Sequence, residues 1–506
     1  MNPKKKPLFI YEMANNHQGN VAHGMQIIHE LIKVSEQYMT DFQFGIKFQY
    51  RNLDTFIRPD YWERNDIKNV KRFKDTRLLK DEFLALKKEV EKVGFLSICT
   101  PFDETSVDLI MEHNYDIIKI ASCSFNDWPL LEKIAQQNKP VIASAAGSSL
   151  EEIDKVLSFL THRGISVSLM HCVAEYPTLN EHLQMNQIDL LRKEFPGYVI
   201  GFSTHEFPEN LLPIRIAVAK GARIFEKHVG VPTEEITLNG YSANPEQVSR
   251  WLQAAYETFE MCGVVNQRYE PSQKETDDLA ALQRGVFLKE DVNKGQRLTE
   301  KQVYFAFPCE KNQLLSRDFS KYSEIFPKRE LKRDNSVSLK DVEIHNNRPK
   351  VEAIVTKIMK LIKDSHVVIP IDSKCSLSHH YGLEKYENIG VAIIDCINRE
   401  YCKKILVLLP GQNHPFHLHR EKEETFSVLY GDITVNLDGK TIKLHAGEAQ
   451  VVGRGVKHSF STENGCVFEE VSTTHFLNDS YYEDENDLVS PRKTSVFITK
   501  DMIDQL

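Results

Sequence analysis

Between Leu8 and Gly230 eight short apolar runs recur, each of strand length, most separated by a segment long enough for a crossover helix. They are LFIYEM (8–13), FGIKFQ (44–49), FLSICT (95–100), IIKIAS (117–122), PVIASA (140–145), ISVSLMHC (165–172), YVIGFS (198–203) and RIFEKHV (223–229). Between two of them, DEFLALKKEVEKV (81–93) sets Phe83, Leu86, Val90 and Val93 at helical spacing with Lys and Glu opposite. Strands joined by helices run parallel, and apolar strands in a parallel sheet are covered on both faces. Eight such units suit a closed barrel better than an open doubly wound sheet, where about six strands are typical. The expected class is therefore α/β, a (β/α)8 TIM barrel.

The barrel takes only part of the chain. At 506 residues and 58.3 kDa the protein exceeds one core of roughly 100–200 residues, and three domains are expected, at 1–270, 280–345 and 350–506. Residues 263–280, polar and charged with one Pro, read as a linker. A small module follows at 284–345, with alternating apolar positions around a Lys-Gly turn, and 344–350 (IHNNRPK) reads as a second polar join. From Val367 strand-like runs dominate, with hairpin turns expected at Tyr430-Gly431-Asp432 and Asp438-Gly439, so an all-β domain closes the chain. The acidic stretch 478–487 reads as a solvated loop.

Charge and cysteine usage narrow the function classes. With 63 basic and 72 acidic residues the net charge is −9, against a nucleic-acid or anionic-membrane partner. The basic run 68–77 (KNVKRFKDTR) is read as a solvated barrel-loop face. Nine cysteines without a C-x-x-C pair indicate neither a disulfide framework nor a thiolate zinc site. The basic N-terminus leads into no long apolar segment, and no run approaches the ~18 residues needed to span a bilayer. The expectation is a cytoplasmic protein.

Parallel barrels place their chemistry at the C-terminal strand ends. The first strand delivers Glu12, the second Lys47 and Gln49, the third Thr100, the fourth Lys119 and Ser122. Further on come Ser144, His171 and Tyr176, Ser203 and His205, then Glu226, Lys227 and His228. Two strand-borne lysines with nearby hydroxyls form a cradle for a phosphorylated anion. His205 and His228, on adjacent strands, can set two imidazoles on one divalent metal and leave positions open for substrate and water.

The motifs YEMANNHQG (11–19), IKFQ (46–49), CTPF (99–102), IKIAS (118–122), LMHCVAEYPT (169–178), GFSTH (201–205) and FEKH (225–228) resemble the ordered series of the sialic acid synthase family. The module at 284–345 resembles that family's antifreeze-like SAF domain. The resemblance implies condensation of phosphoenolpyruvate with an open-chain hexosamine-type aldose to a nonulosonic 2-keto acid and phosphate, assisted by Mn2+ or Mg2+. It implies that Lys47, Thr100, Lys119, Ser122 and Ser203 hold phosphoenolpyruvate, that His205 and His228 bind the metal, and that Glu12, Gln49 and Tyr176 face the sugar, with Glu12 managing protons. It also implies a homodimer with exchanged SAF domains, a basic loop bordering the sugar pocket, and Tyr61 and Trp62 either in that pocket or anchoring the loop.

Three positions depart from the family pattern. Ala174 stands where Asn or Ser is usual, Asn239 is the nearest polar stand-in for an acidic sugar contact, and Phe307-Pro308-Cys309 replaces Arg-Pro-Gly. The last removes the family's contact to an acylamino group and leaves Arg317 as a substitute without a known position.

In the C-terminal domain GQNHPFHLHREKEETFSVLYG (411–431) and GEAQVVGRGVKH (447–458) match the paired motifs of the cupin family. Adjacent strands then bring His417, His419, Glu424 and His458 into one cavity suited to Mn2+, Fe2+, Ni2+ or Zn2+. LSHHYGLEKYENIG (377–390) with the residues after it resembles sugar-isomerising cupins similar to D-lyxose isomerase, with Glu423 or Lys422 as bases. The alternatives for this domain are a sugar isomerase or epimerase and a cupin that only binds sugar.

Overall fold

The computed structural model describes residues 6–476, 478–483, 493–499 and 502, and the chain divides into two compact units, Met1–Glu270 and Pro271–Leu506. In the first, eight parallel strands close a barrel: β1 (Leu8–Glu12), β2 (Gln43–Tyr50), β3 (Leu96–Pro101), β4 (Ile117–Ile120), β5 (Val141–Ser144), β6 (Val167–Cys172), β7 (Val199–Ser203) and β8 (Ile224–His228). All eight lie on the apolar runs read from the sequence. Helix Lys80–Lys92 covers the segment whose spacing predicted it.

Strand periodicity sorts each run into two populations. Phe9, Tyr11, Phe44, Ile46 and Phe48 face outward into the main core, together with Ile27, Leu86 and Trp251 from the helices. The inward residues Leu8, Ile10, Ile98, Ile142, Met170 and Ile224 make a separate apolar floor inside the barrel. One step further along each strand the same inward column turns polar, at Glu12, Lys47, Thr100, Lys119, Ser144, Cys172, Ser203 and Glu226. Gly201 sits in this column because a Cβ there would lie 2.8 Å from the Ile224 carbonyl oxygen and 2.9 Å from its Cβ.

Among the described residues the second unit holds three apolar clusters. Val286, Leu288, Val292, Leu314, Ile325 and Val337 gather around two two-stranded sheets, Gly285–Leu288 with Val303–Ala306 and Ser323–Pro327 with Val342–Asn346. An antiparallel assembly then runs from Ser373–Ser378 to Lys493–Ile498, its interior filled by Phe426, Val428, Val435, Phe460 and Phe468.

Four expectations for this unit are corrected. The 263–280 linker contains a helix, Gln273–Ala281, started by the Ser272 hydroxyl accepting from Glu275 N at 3.1 Å and supported by the Lys274–Asp278 pair at 2.6 Å. The 344–350 join is the end of one strand and the start of a long helix, Arg348–Ser365, which buries Val351, Ile354, Ile358 and Ile362 against Leu377 and Ile405. Gly431 is not a hairpin turn: it lies within the strand Glu424–Leu437, just past a register shift, where a Cβ would meet the Gly465 carbonyl oxygen at 2.2 Å. Asp438-Gly439 is the expected two-residue turn, both residues at positive φ. The solvated-loop reading fails at Asp479, which is buried. Residues 484–487 of that loop lie outside the described residues. Among the described residues no helix is long and apolar enough to cross a membrane.

Candidate functional site

The polar end of the barrel opens into a cavity of about 900 Å³. Its wall includes Glu12, Lys47, Gln49, Lys119, Ser122, Tyr176, Ser203, His205 and His228, and of the barrel residues named from the sequence Thr100, His171 and Lys227 do not reach it. Thr100 is buried with its hydroxyl unpartnered, one residue before the turn that carries Phe102 to the wall. The departures Ala174 and Asn239 also line it, as do Lys68 and Arg72 of the basic loop, which corrects the reading of 68–77 as only a solvated face. Trp62 lines a separate cleft with Ile57 and Pro59. His171 Nε2 donates to the Leu183 carbonyl oxygen at 2.8 Å, and Lys227 pairs with buried Glu206 at 2.7 Å; both brace loops and stay off the wall.

At the centre Lys47 Nζ lies 2.5 Å from Glu12 Oε2 and 2.7 Å from Glu226 Oε1. Parallel register puts Glu12 beside Lys47 on one side and His228 on the other. Ser203 donates to Glu226 at 3.0 Å, and Lys119 donates to Ser144 at 2.6 Å and to the Ile120 carbonyl at 3.1 Å. Burial pushes Glu226 up, but Lys119 and Lys47 outweigh it and hold the carboxyl down at about 2. The same burial, with Glu226 as a like charge, leaves Glu12 raised despite Lys47. One lysine between two carboxylates thus separates their proton affinities, an ionised Glu226 and a more basic Glu12. Burial lowers Lys119, only partly offset by Glu226.

His205 Nδ1 meets the Val173 carbonyl oxygen at 2.9 Å, which places its proton there and turns the Nε2 lone pair inward. The His205 and His228 rings are 5.3 Å apart, and burial lowers both, so the neutral form able to bind a cation is favoured. Tyr241, absent from the sequence reading, packs edge-on against both at 5.8 and 5.1 Å. Its loop position at 241 carries no periodic signal. Glu226 Oε2 is buried without a hydrogen bond beside this pair.

In the second unit the ligand atoms of His417, His419, Glu424 and His458 lie within 4.8 Å of one another, all four residues buried. His417 and His458 face each other across paired strands. Each imidazole has Nδ1 on a backbone carbonyl: His417 on Pro415 at 3.0 Å, His458 on Val456 at 3.0 Å, His419 on Asp479. Three Nε2 lone pairs are therefore presented inward with an ionised carboxylate, the donor set of a first-row divalent ion. Glu424 Oε1 lies 2.8 Å from His458 Nε2 and its Oε2 pairs with Lys422, so the carboxylate sits ionised against the imidazoles. Asp479 holds the cage loop by accepting from the backbone N–H groups of Arg420, Glu421 and Lys422 at 2.8, 3.1 and 2.9 Å. Lys422 bridges Glu424 and Glu470, the latter at 2.7 Å, whereas Glu423 is exposed on the opposite face and is no base for this cavity. A second imidazole pair, His380 and His414, lies alongside with Nε2 atoms 3.2 Å apart; His414 had no ligand spacing to reveal it.

A buried ionic centre at the mouth of a closed parallel barrel, carried on one chain with a buried cluster of three histidines and a glutamate in an antiparallel β domain, defines a two-centre protein of barrel and cupin-like architecture. The NeuB family matches residues 32–267 and a Cupin domain matches 404–468. The uncharacterized protein MJ1065 of Methanocaldococcus jannaschii is 31% identical over 310 residues, 60% of this chain and 86% of its own. The N,N'-diacetyllegionaminic acid synthase of Campylobacter jejuni is 27% identical over 58% of this chain and 89% of its own. A crystal structure from Chromobacterium violaceum, described as a spore coat polysaccharide biosynthesis protein E, is 51% identical with a TM-score of 0.64 and covers 67% of this chain and 100% of its own. The chain belongs to the NeuB family and carries a C-terminal cupin. It is an enzyme, a transferase of the class that makes nonulosonic acids.

Proposed function

We propose that the barrel condenses phosphoenolpyruvate with an open-chain aldose of hexosamine or hexose type, giving a nonulosonic 2-keto-3-deoxy acid and phosphate in a metal-dependent reaction. The observation that carries this reading is the buried Glu12–Lys47–Glu226 triad with Lys119 on the same cavity wall. Lys47 and Lys119 offset phosphoenolpyruvate charge where little water competes, and Ser122 and Ser203 donate to its oxygens. Gln49 and Tyr176 face the sugar. Glu12, the more basic carboxylate, takes and returns protons on the acceptor side. His205 and His228 would hold Mn2+ or Mg2+, which polarises the aldehyde carbonyl when bound. Thr100 supports the cradle from beneath its wall.

Phosphate release from phosphoenolpyruvate and a hexose panel is the test. It should require a divalent ion and fall by about a hundredfold or more in Lys119→Ala; unchanged turnover in that variant rejects the cradle. The reading carries with it a cytoplasmic homodimer with exchanged 280–345 modules, which sedimentation checks.

For the cupin, a sugar isomerase or epimerase is the second reading, favoured by the buried Lys422–Glu470 pair touching Glu424. Burial pushes Lys422 down, but Glu470 and Glu424 outweigh it and keep its ammonium protonated, so with Mn2+, Fe2+, Ni2+ or Zn2+ in the cage Lys422 would supply rather than take the proton moved between the first two sugar carbons. Solvent-deuterium incorporation into an aldose by the full chain, lost in Lys422→Met, supports it; no exchange with any of these metals leaves a sugar-binding cupin.

A further inference from the structure

The barrel cavity carries cations that the cradle does not use. Eight basic residues lie from Arg51 to Arg77, in the loop after β2. Five are paired with carboxylates: Arg58 with Asp60 at 2.5 Å, Arg64 with Asp66 at 2.6 Å, Lys71 with Asp75 at 2.6 Å, Lys74 with Glu63 at 3.9 Å and Arg77 with Asp54 at 3.2 Å. None of these five reaches the cavity wall. The other three, Arg51, Lys68 and Arg72, all line it, and among the described residues none has a carboxylate in ion-pair contact. The loop therefore neutralises its outer charges and leaves its inner ones for something else.

Arg51 is also fixed in place. Its guanidinium carbon lies 4.2 Å from the Phe73 ring centroid and 3.6 Å from that of Phe102, and Nη2 donates to Gln49 Oε1 at 2.9 Å. Its Nε is buried without a partner. The nearby carboxylate of Asp103 is occupied by the backbone N–H groups of Asn52 and Ser106, at 2.8 and 2.7 Å. Burial in the first place, and Arg72 as a like charge, hold the Arg51 guanidinium down to about 10. Two arginines and a lysine at one mouth repel one another unless an anion joins them. Deeper in the cavity two lysines face two glutamates, so these three cations make the wall net positive.

We infer that Arg51, Arg72 and Lys68 form an oxyanion subsite at the sugar end of the cavity, and that the aldose accepted there bears its own anionic group, a phosphate monoester or a carboxylate. The inference rests on the condensation reading above, and places the group beyond Gln49, away from the Lys47 and Lys119 cradle. Planar guanidinium forks suit either oxyanion.

The test uses the full chain with Mn2+ and three acceptors, a neutral hexosamine, its 6-phosphate and a hexuronate. Phosphate release is measured for each, and calorimetry on the metal-free protein measures binding of each sugar and of phosphoenolpyruvate. The expected result is a kcat/KM for one anionic acceptor about ten- to a hundredfold above that for the neutral one, the range of charge-assisted hydrogen bonds. Arg51→Ala and Arg72→Ala should each remove most of that preference through acceptor KM and leave phosphoenolpyruvate binding in place, with Arg51→Lys recovering part of it. Whether the 6-phosphate or the hexuronate gains names the oxyanion. If Arg51→Ala misfolds, exposed Arg72 carries the test. Equal use of the neutral sugar overturns the subsite, as does a loss confined to phosphoenolpyruvate affinity, which would hand these cations to the phosphate of the enol. Wild-type protein that binds the sugar phosphate yet releases phosphate with no acceptor sinks the condensation reading and leaves the subsite standing.

Discussion

His17 shows how one ring couples the barrel to pH. It is buried, and its Nδ1 accepts from Gly19 N at 3.1 Å, so a proton arriving at Nδ1 would break that bond in a site that disfavours charge. Burial, with His23 as a lesser cause, lowers it from 6.5 to about 4. The unfolded chain therefore binds the proton first as pH falls, and the stability His17 contributes is whole above pH 6.5 and lost on descending to about 4. At pH 5 the loss amounts to about 2 kcal/mol, and His17→Gln should remove that part of the slope in urea midpoints measured at pH 7 and pH 5. Gly201→Ala makes a complementary case without charge. The added methyl would press on backbone as well as side chain of β8, and about 1–3 kcal/mol of barrel stability should be lost in urea unfolding at pH 7.

At the scale of elements, what was legible followed period. The eight barrel runs advertise themselves by apolar content and crossover spacing, and the strand ends can be counted to their polar residues. The cupin ligands show because His417 and His419 are two apart where the strand Asn413–Leu418 ends, and Glu423, just before the strand Glu424–Leu437, is exposed while Glu424 is buried. The helix Arg348–Ser365 was missed although positions 351, 354, 355, 358 and 362 repeat at helical spacing, because the polar IHNNRPK before it masks the start. Ile358→Ala there should cost about 2–5 kcal/mol in chemical unfolding. Tyr241 and Asp479 were illegible for a different reason: their roles depend on partners brought from distant segments. Asp479 lies in an acidic run, and only the fold brings three backbone N–H groups to it. Removing its carboxylate strands those donors and frees the loop bearing His419. Asp479→Ala should therefore weaken divalent-metal binding by the cupin about ten- to a hundredfold, read by competition with a fluorescent chelator, while His417 and His458 keep their own backbone carbonyls.

The molecule as a whole presents two centres of different chemistry in two compact units. The barrel centre depends on lysines and carboxylates whose charges are set by one another, the cupin centre on imidazoles whose orientation is set by backbone carbonyls. If each centre is complete within its own unit, damage should separate cleanly. A His417→Ala, His458→Ala double variant leaves two cage ligands, below the three needed for tight binding of a first-row ion, so bound metal measured by mass spectrometry should fall by about one ion per chain. Phosphate release with a ready-made acceptor should stay within about twofold of wild type, since no cage residue lines the barrel cavity. Lys119→Ala should give the reverse, full cupin metal and lost condensation. Condensation that falls together with the cage metal would contradict this independence and make the cupin a regulator of the barrel rather than a second centre beside it.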